Sequence, residues 1–442
     1  MSRKFARMLG MAMAAIFCVG GNHAWSQKIT KIERSQALDM IQQISPDIKK
    51  HYYDPKFHGV DWNARVDQTE QKINTAESMP QALAAVASAL GSFNDSHTFF
   101  LPPAYAAHYD YGWKAQMIGD RCLVIRVRPG SDAEKKGLKS GDELISIDGF
   151  APTRDAFWKI EYVFNTLRPQ PVLVLDVRDP GGQQSRLQVA TTVIPQKSTL
   201  DLTGTTGDGD IWDVVRQQQN EDRAGRAQFS VASEDVGILK LPSFALDKSD
   251  VDRMMYKVHK HKALVLDLRG DPGGYVEILQ YLIGATFDKE TKIGDRVGRS
   301  LHKPMIAKPH DRPFTGKLVV LVDSKSASAA ELFARVVQIE KRGAVLGDRS
   351  SGSVMEAKRY SYKSGADTVV YFGASITDAD IVMTDGKSLE HVGVVPDEVV
   401  LPSADDLANG RDPVLAHAVE TVGGKITPEA AGKLFPYEWP KI

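Results

Sequence analysis

The sequence predicts an α/β fold with a largely parallel sheet in its C-terminal half, a small helical domain at the front and a β-rich domain inserted between them. Three observations carry this. Ala263-Leu264-Val265-Leu266-Asp267-Leu268 and Leu318-Val319-Val320-Leu321-Val322 are apolar on both faces, as strands covered by helices on both sides must be. Segments with helical spacing, Val276 to Ile283 and Ser328 to Lys341, alternate with them. Upstream, a helix-period stretch gives way to short strands punctuated by turns.

The helical stretch runs from Ile29 to about Leu101, with apolar residues spaced for one helix face through Ala37-Leu38-Asp39-Met40-Ile41 and through Ala82 to Leu90. It ends in the turn-rich Gly91-Ser92-Phe93-Asn94-Asp95-Ser96-His97-Thr98, and Pro102-Pro103 opens a connection. From Tyr111 to Ile194, Gly119-Asp120, Asp148-Gly149 and Asp179-Pro180-Gly181-Gly182 separate β-rich runs such as Leu123-Val124-Ile125 and Val172-Leu173-Val174-Leu175. Residues 198 to 230 are polar. Gly204, Gly207 and Gly209 lack the leading strand and following helix of a nucleotide loop, so a flexible connection is expected. The expected domains are therefore 27–104, 105–195 and 196–442.

A chain of 442 residues exceeds what one core serves at about 150 residues per domain. Its 55 Lys and Arg balance 56 Asp and Glu, a net charge of -1, which leaves no global field to hold nucleic acid or an anionic membrane. The first residues, Met-Ser-Arg-Lys-Phe-Ala-Arg, precede an apolar run from Met8 to Gly20 and then Ala24-Trp25-Ser26. This is the order of a secretory leader, with cleavage expected after Ser26 and residues 1–26 removed. The run is shorter than the roughly 20 residues of a membrane span, and Phe17 before Cys18 is bulky for a lipoprotein leader. No integral span is expected after removal, and the protein is expected to be exported, to periplasm or extracellular space. Only Cys122 then remains, in the apolar run Cys-Leu-Val-Ile, so no intramolecular disulfide can form and a packing role is expected.

Ser326-Ala327-Ser328-Ala329-Ala330-Glu331 follows one buried strand and opens an amphipathic helix. A serine there sits where free helix amides and the positive helix end converge, which favours a developing oxyanion. Ser328 and Glu331 also have the Ser-x-x-Glu spacing of a capping box, which many helices use without any chemistry. After the other buried strand comes Arg269-Gly270-Asp271-Pro272-Gly273-Gly274. Paired glycines at a strand end admit close backbone approach and can donate amides into an oxyanion hole; the alternative is a tight strand-to-helix turn.

Taken together, Leu266-Asp267-Leu268-Arg269-Gly270-Asp271-Pro272-Gly273-Gly274 and Asp323-Ser324-Lys325-Ser326-Ala327-Ser328-Ala329-Ala330-Glu331 resemble the carboxyl-terminal-processing peptidases of family S41 and the related tricorn core. The resemblance implies a crotonase/ClpP-like catalytic core, Ser328 as nucleophile, and an oxyanion hole from Ala329 and Gly273 or Gly274. It also implies polypeptide substrates and no cofactor or metal. The inserted domain, through Val127 to Gly149, resembles a PDZ module, which pairs a peptide against a strand edge and binds its terminal carboxylate in a loop of amides. The matching loop is Tyr111-Gly112-Trp113-Lys114, which lacks the family's second glycine.

The best-known members pair the serine with a lysine, and Gly347-Asp348-Arg349-Ser350-Ser351-Gly352-Ser353 puts Ser353 at that place. In the tricorn-like branch a Ser-His pair supplies the base instead, which implies His97 as base and Ser96 as the group orienting it. His97 suits this because imidazole titrates near neutrality. Asp385 to Asp397 resembles the late segment that supplies an acid, which implies Glu390; His391, its neighbour, is expected to face solvent. His259 and His261 lack nearby acidic or cysteine partners for a metal. A rival reading is a non-catalytic binding protein for peptides or hydrophobic ligands on the same scaffold, as in retinoid-binding relatives.

Overall fold

The computed structural model describes residues 28–104, 107–195, 227–300, 302–365 and 369–439. Residues 1–26, expected to be a leader, and the glycines at 204, 207 and 209 lie outside the described residues. Helices α1 (Lys31–His51), α2 (Trp62–Thr75) and α3 (Met79–Leu90) come first. Thr30 starts α1 with a reciprocal cap: Glu33 N donates to Thr30 Oγ1 at 3.1 Å and Thr30 N donates to Glu33 Oε2 at 2.8 Å, satisfying amides the helix cannot. The apolar stripe of α1 (Ala37, Met40, Ile41, Ile44, Ile48) is fully buried against Val86 and Leu90 of α3.

Strands β1 (Phe99–Leu101) and β2 (Ala107–Asp110) follow, and then the inserted sheet. It consists of β3 (Trp113–Ile118), β4 (Arg121–Val127), β5 (Glu143–Ile147), β6 (Val172–Arg178) and β7 (Gln184–Ala190), antiparallel in that order. Its own core includes Cys122, a free buried cysteine whose thiol pKa burial pushes up to about 12. The thiol is therefore an inert packing group at neutral pH. Strand β8 (Thr192–Pro195) pairs back with β2.

The remaining chain forms β9 (Gln228–Ser233), β10 (Val236–Lys240), α4 (Lys248–Val258), β11 (Ala263–Asp267), α5 (Val276–Thr286), β12 (Thr291–Val297) and β13 (His302–Ala307). It continues through β14 (Lys317–Val322), α6 (Ala329–Ile339), β15 (Ala344–Gly347), β16 (Met355–Ser364), β17 (Val370–Met383), β18 (Glu398–Val399) and α7 (Pro413–Thr421). One sheet runs β18-β15-β14-β11-β10-β9, parallel except for β9. Alternation sends Leu264, Leu266, Leu318 and Val320 into the core under α4, α5 and α6. Their neighbours Ala263, Val265, Val319 and Leu321 enter the core under α7. Both faces are thus covered, as continuous apolar strands require.

The fold is mixed α/β, with more sheet than the buried runs reveal. A second sheet, β1-β17-β12-β13 with β16 on β17, is antiparallel throughout. Its strand β16 reads Met-Glu-Ala-Lys-Arg-Tyr-Ser-Tyr-Lys-Ser and is largely solvent-facing, so its pairing has little apolar signature. The N-terminal helices lie on this sheet, through Phe372, Ala374 and Ile376 of β17. Phe99 to Leu101 pairs with Ser375 to Gly373, so the segment after Thr98 is a strand of that sheet.

Asp267, at the end of β11, is fully buried and accepts from Lys240 Nζ at 3.1 Å and from Arg269 Nε and Nη2 at 2.9 and 2.8 Å. Arg269 reaches on to Asp412 at 2.9 and 2.7 Å, so two cations and two carboxylates close one cluster at the root of the glycine turn. Arg269 and Lys240 outweigh burial and hold the Asp267 carboxyl well below the usual range. Asp267→Asn should lower stability by about 3–5 kcal/mol at pH 7, read from urea unfolding. The loss should shrink as pH falls through the carboxyl range and the native residue also protonates.

Candidate active site

The chain leaves β14 through a loop tied down by its own hydroxyls and carboxylates. Ser326 Oγ donates to Leu268 O at 2.8 Å, Asp323 N donates to Ser326 Oγ at 2.9 Å and Ala327 N donates to Asp271 O at 2.9 Å. The loop is therefore bonded to the glycine turn after β11. Ser328, the last residue before α6, has φ 54 and ψ -118. That conformation is costly for a side-chain-bearing residue, and nucleophilic serines at strand-to-helix turns share such strain.

Gly273 lies against Ser328. A Cβ on Gly273 would fall 2.6 Å from Ser328 Cβ and 2.9 Å from Ala329 N, and its φ is +92, so no other residue fits. The two glycine amides differ. Gly273 N donates to Asp271 Oδ1 at 2.7 Å. Gly274 N and Ala329 N donate to no group among the described residues.

Glu331, one turn into α6, is fully buried. Its Oε1 accepts from Ser350 Oγ at 2.6 Å and Gly352 N at 2.7 Å, and its Oε2 accepts from Ser328 N and Ser353 N, both at 3.0 Å. Ser328 N is shared with Ser353 O at 2.9 Å. The Ser-x-x-Glu spacing marks the bond to Ser328, whereas the clamp on residues 350–353 has no sequence signal because its partners lie about twenty positions away.

Val354 N, next in that segment, donates to Glu390 Oε2 at 2.8 Å. Glu390 also accepts from Ser96 N at 2.6 Å and Ser96 Oγ at 2.9 Å, and Ser96 Oγ lies 2.7 Å from His97 Nδ1. Glu390, Ser96 and His97 thus form one hydrogen-bonded array, and Val354, which joins it, is the residue after Ser353, whose carbonyl holds Ser328 N. Burial raises the Glu390 carboxyl, opposed by Val354 N and Ser96. Desolvation pushes the His97 pKa down to about 4, only partly offset by Asp95.

Asp95 is a supporting residue that the sequence did not single out. It accepts from His97 N at 3.0 Å, Thr98 N at 2.6 Å, Tyr52 Oη at 2.8 Å and Thr377 Oγ1 at 2.7 Å, which locks the Ser96-His97 backbone to β17 and α1. His391 is half-exposed, its Nε2 2.6 Å from Asn94 O. His261 Nδ1 lies 2.8 Å from Glu234 O, and no cluster of three metal-ligating side chains occurs among the described residues.

A cleft of about 1870 Å³ opens beside the array, lined by Ser96, Ser353 and Pro272 on one side and by Lys114 and Arg126 of the inserted sheet on the other. Within the loop 111–114, Lys114 lines this cleft. Tyr111 is buried, donating to Phe164 O at 3.0 Å and accepting from Gln170 N at 2.9 Å. Gly112 N donates to Asp110 Oδ1 at 2.9 Å, and Trp113 is the half-buried first residue of β3.

Comparison with known proteins defines the class. The sequence resembles the "Carboxyl-terminal-processing protease" of Picosynechococcus, 24% identical over 380 residues, covering 82% of this chain and 83% of the relative. It resembles the "Putative tricorn protease homolog 2" of Streptomyces coelicolor, 24% identical over 419 residues and covering 88% of this chain but 32% of that longer protein. In fold it resembles mature CPAF complexed with lactacystin, with TM-score 0.63, 16% identity, and 86% of this chain and 96% of that chain covered. The protein is a serine-type peptidase, a hydrolase of peptide bonds. The model of peptidase family S41 matches residues 235–400, the stretch from β10 to β18 that carries Ser328, the glycine turn and Glu390.

Burial pushes the Glu331 pKa up to about 7 although four donors favour its ionised form. The native state therefore holds this proton longer than the unfolded chain, and the group's contribution to stability falls as pH rises from the ordinary carboxyl range through 7. Glu331→Gln should remove that slope, measured by urea unfolding between pH 4.5 and 8. It should also place an NH2 against the N–H donors of the clamp, costing about 1–3 kcal/mol.

Proposed function

We propose that this is an exported serine endopeptidase that cleaves polypeptides, near their C-termini, through an acyl-enzyme on Ser328 with His97 as the base. The observation that carries the reading is the Glu390–Ser96–His97 relay. A hydroxyl has one proton, and Ser96 Oγ gives it to Glu390 Oε2 at 2.9 Å. Its oxygen then accepts Nδ1–H of His97 at 2.7 Å. The imidazole is held as the tautomer with a free lone pair on Nε2, the form a general base needs.

In this mechanism Ser328 Oγ attacks the scissile carbonyl carbon and its proton passes to His97 Nε2. The tetrahedral oxyanion is received by the Ala329 amide and the glycine turn, where the uncommitted Gly274 N–H is the better donor and Gly273 provides the close approach. His97 returns the proton to the leaving amine, and a water deprotonated by the same imidazole hydrolyses the ester on Ser328. Ser353 stands where other members carry lysine; here its backbone, not a side-chain amine, serves the site by positioning Ser328 N. The inserted sheet, read as a PDZ-like module, presents the substrate chain to the cleft. Export rests on the leader-like order of residues 1–26.

Ser328→Ala should abolish hydrolysis of an unfolded polypeptide while circular dichroism and the unfolding midpoint stay near those of the native chain. A fluorophosphonate probe should label the native protein and not this variant. His97→Ala should slow labelling by at least about 10². Persistent hydrolysis by Ser328→Ala sinks the reading.

The desolvated His97 should titrate near 4, measured by NMR of labelled imidazole, and so stay neutral throughout pH 5–8. Because its folded pKa lies below the ordinary histidine value, this group's stability contribution is present above about 6.5 and is lost as pH falls toward 4. A shift midpoint at 6.5 contradicts the desolvated placement.

A further inference from the structure

The chain after α7 returns to the cleft. Leu434 and Phe435 pack against the core beneath the parallel sheet. Beyond them, Tyr437, Glu438 and Trp439 line the same cleft as Ser96 and Ser353. Arg126 lies over the Tyr437 ring at 4.9 Å and Arg128 over the Trp439 ring at 4.6 Å. Arg126 lies in β4 and Arg128 directly follows it, so the two are alternate residues about 6–7 Å apart along an extended segment. The two rings are also two residues apart, with centroids separated by 5.2 Å. The spacing of the cations and the spacing of the aromatics match.

The chemistry of the two sides is complementary as well. Guanidinium groups are held over aromatic faces, and the acidic Glu438 between the rings lines a cleft whose wall also carries Lys114, Lys159 and Lys240. The Arg126 guanidinium is desolvated there, which lowers its pKa, with Tyr437 as the opposing influence.

We propose that the Arg126/Arg128 face is a polypeptide-docking surface for an aromatic-x-aromatic segment. Its resident occupant is the chain's own Tyr437-Glu438-Trp439, which a substrate must displace. The inference rests on the peptidase reading for the word substrate, but the docking itself does not depend on catalysis. It assigns the inserted domain a preference for segments with two aromatic side chains flanking an acidic one, and it makes the tail an internal competitor.

A fluorescein-labelled peptide of residues 433–439, Lys-Leu-Phe-Pro-Tyr-Glu-Trp, tests it by anisotropy on full-length protein. Two cation–π contacts of this kind correspond to about 5- to 30-fold in affinity. The peptide should bind Tyr437→Ala/Trp439→Ala that much more tightly than the native chain, whose tail competes. Adding Arg126→Ala/Arg128→Ala should remove the binding. Arg128 also pairs with Asp110 at 2.6 Å, so Arg126→Ala alone, at an exposed position, serves if the double change unfolds the domain, with about 2- to 5-fold loss expected. The tail variant should hydrolyse an unfolded polypeptide with a lower KM and be labelled by fluorophosphonate at the native rate.

Equal peptide affinity for native and tail-variant protein, or binding indifferent to the arginines, overturns the proposal. A changed labelling rate in the tail variant also overturns it, because the tail would then act on the nucleophile itself. Absence of labelling and hydrolysis in every form counts against the Ser328 reading, and the anisotropy result still decides the docking.

Discussion

A single buried carboxylate, Glu331, holds together the parts on which the site depends. It belongs to the first turn of α6, yet it reaches back to the serine that precedes the helix and outward to the segment between β15 and β16, accepting from Ser328, Ser350, Gly352 and Ser353. A carboxylate so enclosed is costly in a low-dielectric interior unless each lone pair is used. Here two oxygens meet four donors, and the desolvation cost is spread over a clamp that any shift of the 350–353 segment would break. The strained backbone of Ser328 is held by this clamp, its N–H shared between Glu331 and Ser353 O, with Gly273 packed closely against it.

The second requirement is that a helical segment from the front of the chain bring Ser96 and His97 to Glu390, almost three hundred residues later. Helices α1 and α3 bury their apolar stripes on β17, β1 extends that sheet, and Asp95 bonds to Thr377 across the junction. The antiparallel sheet is therefore the frame that carries the His97 imidazole, while the parallel sheet carries Ser328 and the glycine turn. Glu390 joins the two frames by bonding Val354 on one side and Ser96 on the other. The mechanism proposed for the site uses this junction: in it, Glu390 sets the His97 tautomer through Ser96.

Much of this frame is legible from local pattern. The runs at 263–268 and 318–322 are apolar on both faces because helices cover both sides, and they are parallel neighbours in the structure. The helix expected from Ser328 to Lys341 spans Ala329–Ile339, and the one expected at Val276 extends to Thr286. The antiparallel sheet is not legible in the same way. Strand β16 alternates charged, hydroxyl and aromatic residues with one face in water, and β1 is three residues long. Such strands acquire their identity from partners far away in sequence.

The sequence by itself determined which residues could do chemistry: a serine at a helix start, a paired-glycine turn after a buried strand, a Ser-His pair and a late glutamate. It did so because backbone needs and side-chain chemistry are encoded within a few positions of each other. Only the tertiary structure decided how they act. It committed the Gly273 amide to Asp271 and left that of Gly274 uncommitted, turned Glu331 from a helix cap into a clamp, and brought the chain's own aromatic tail to Arg126 and Arg128. Each of these outcomes depends on atoms that approach only when separate segments pack. Distance in space is what sequence spacing cannot express.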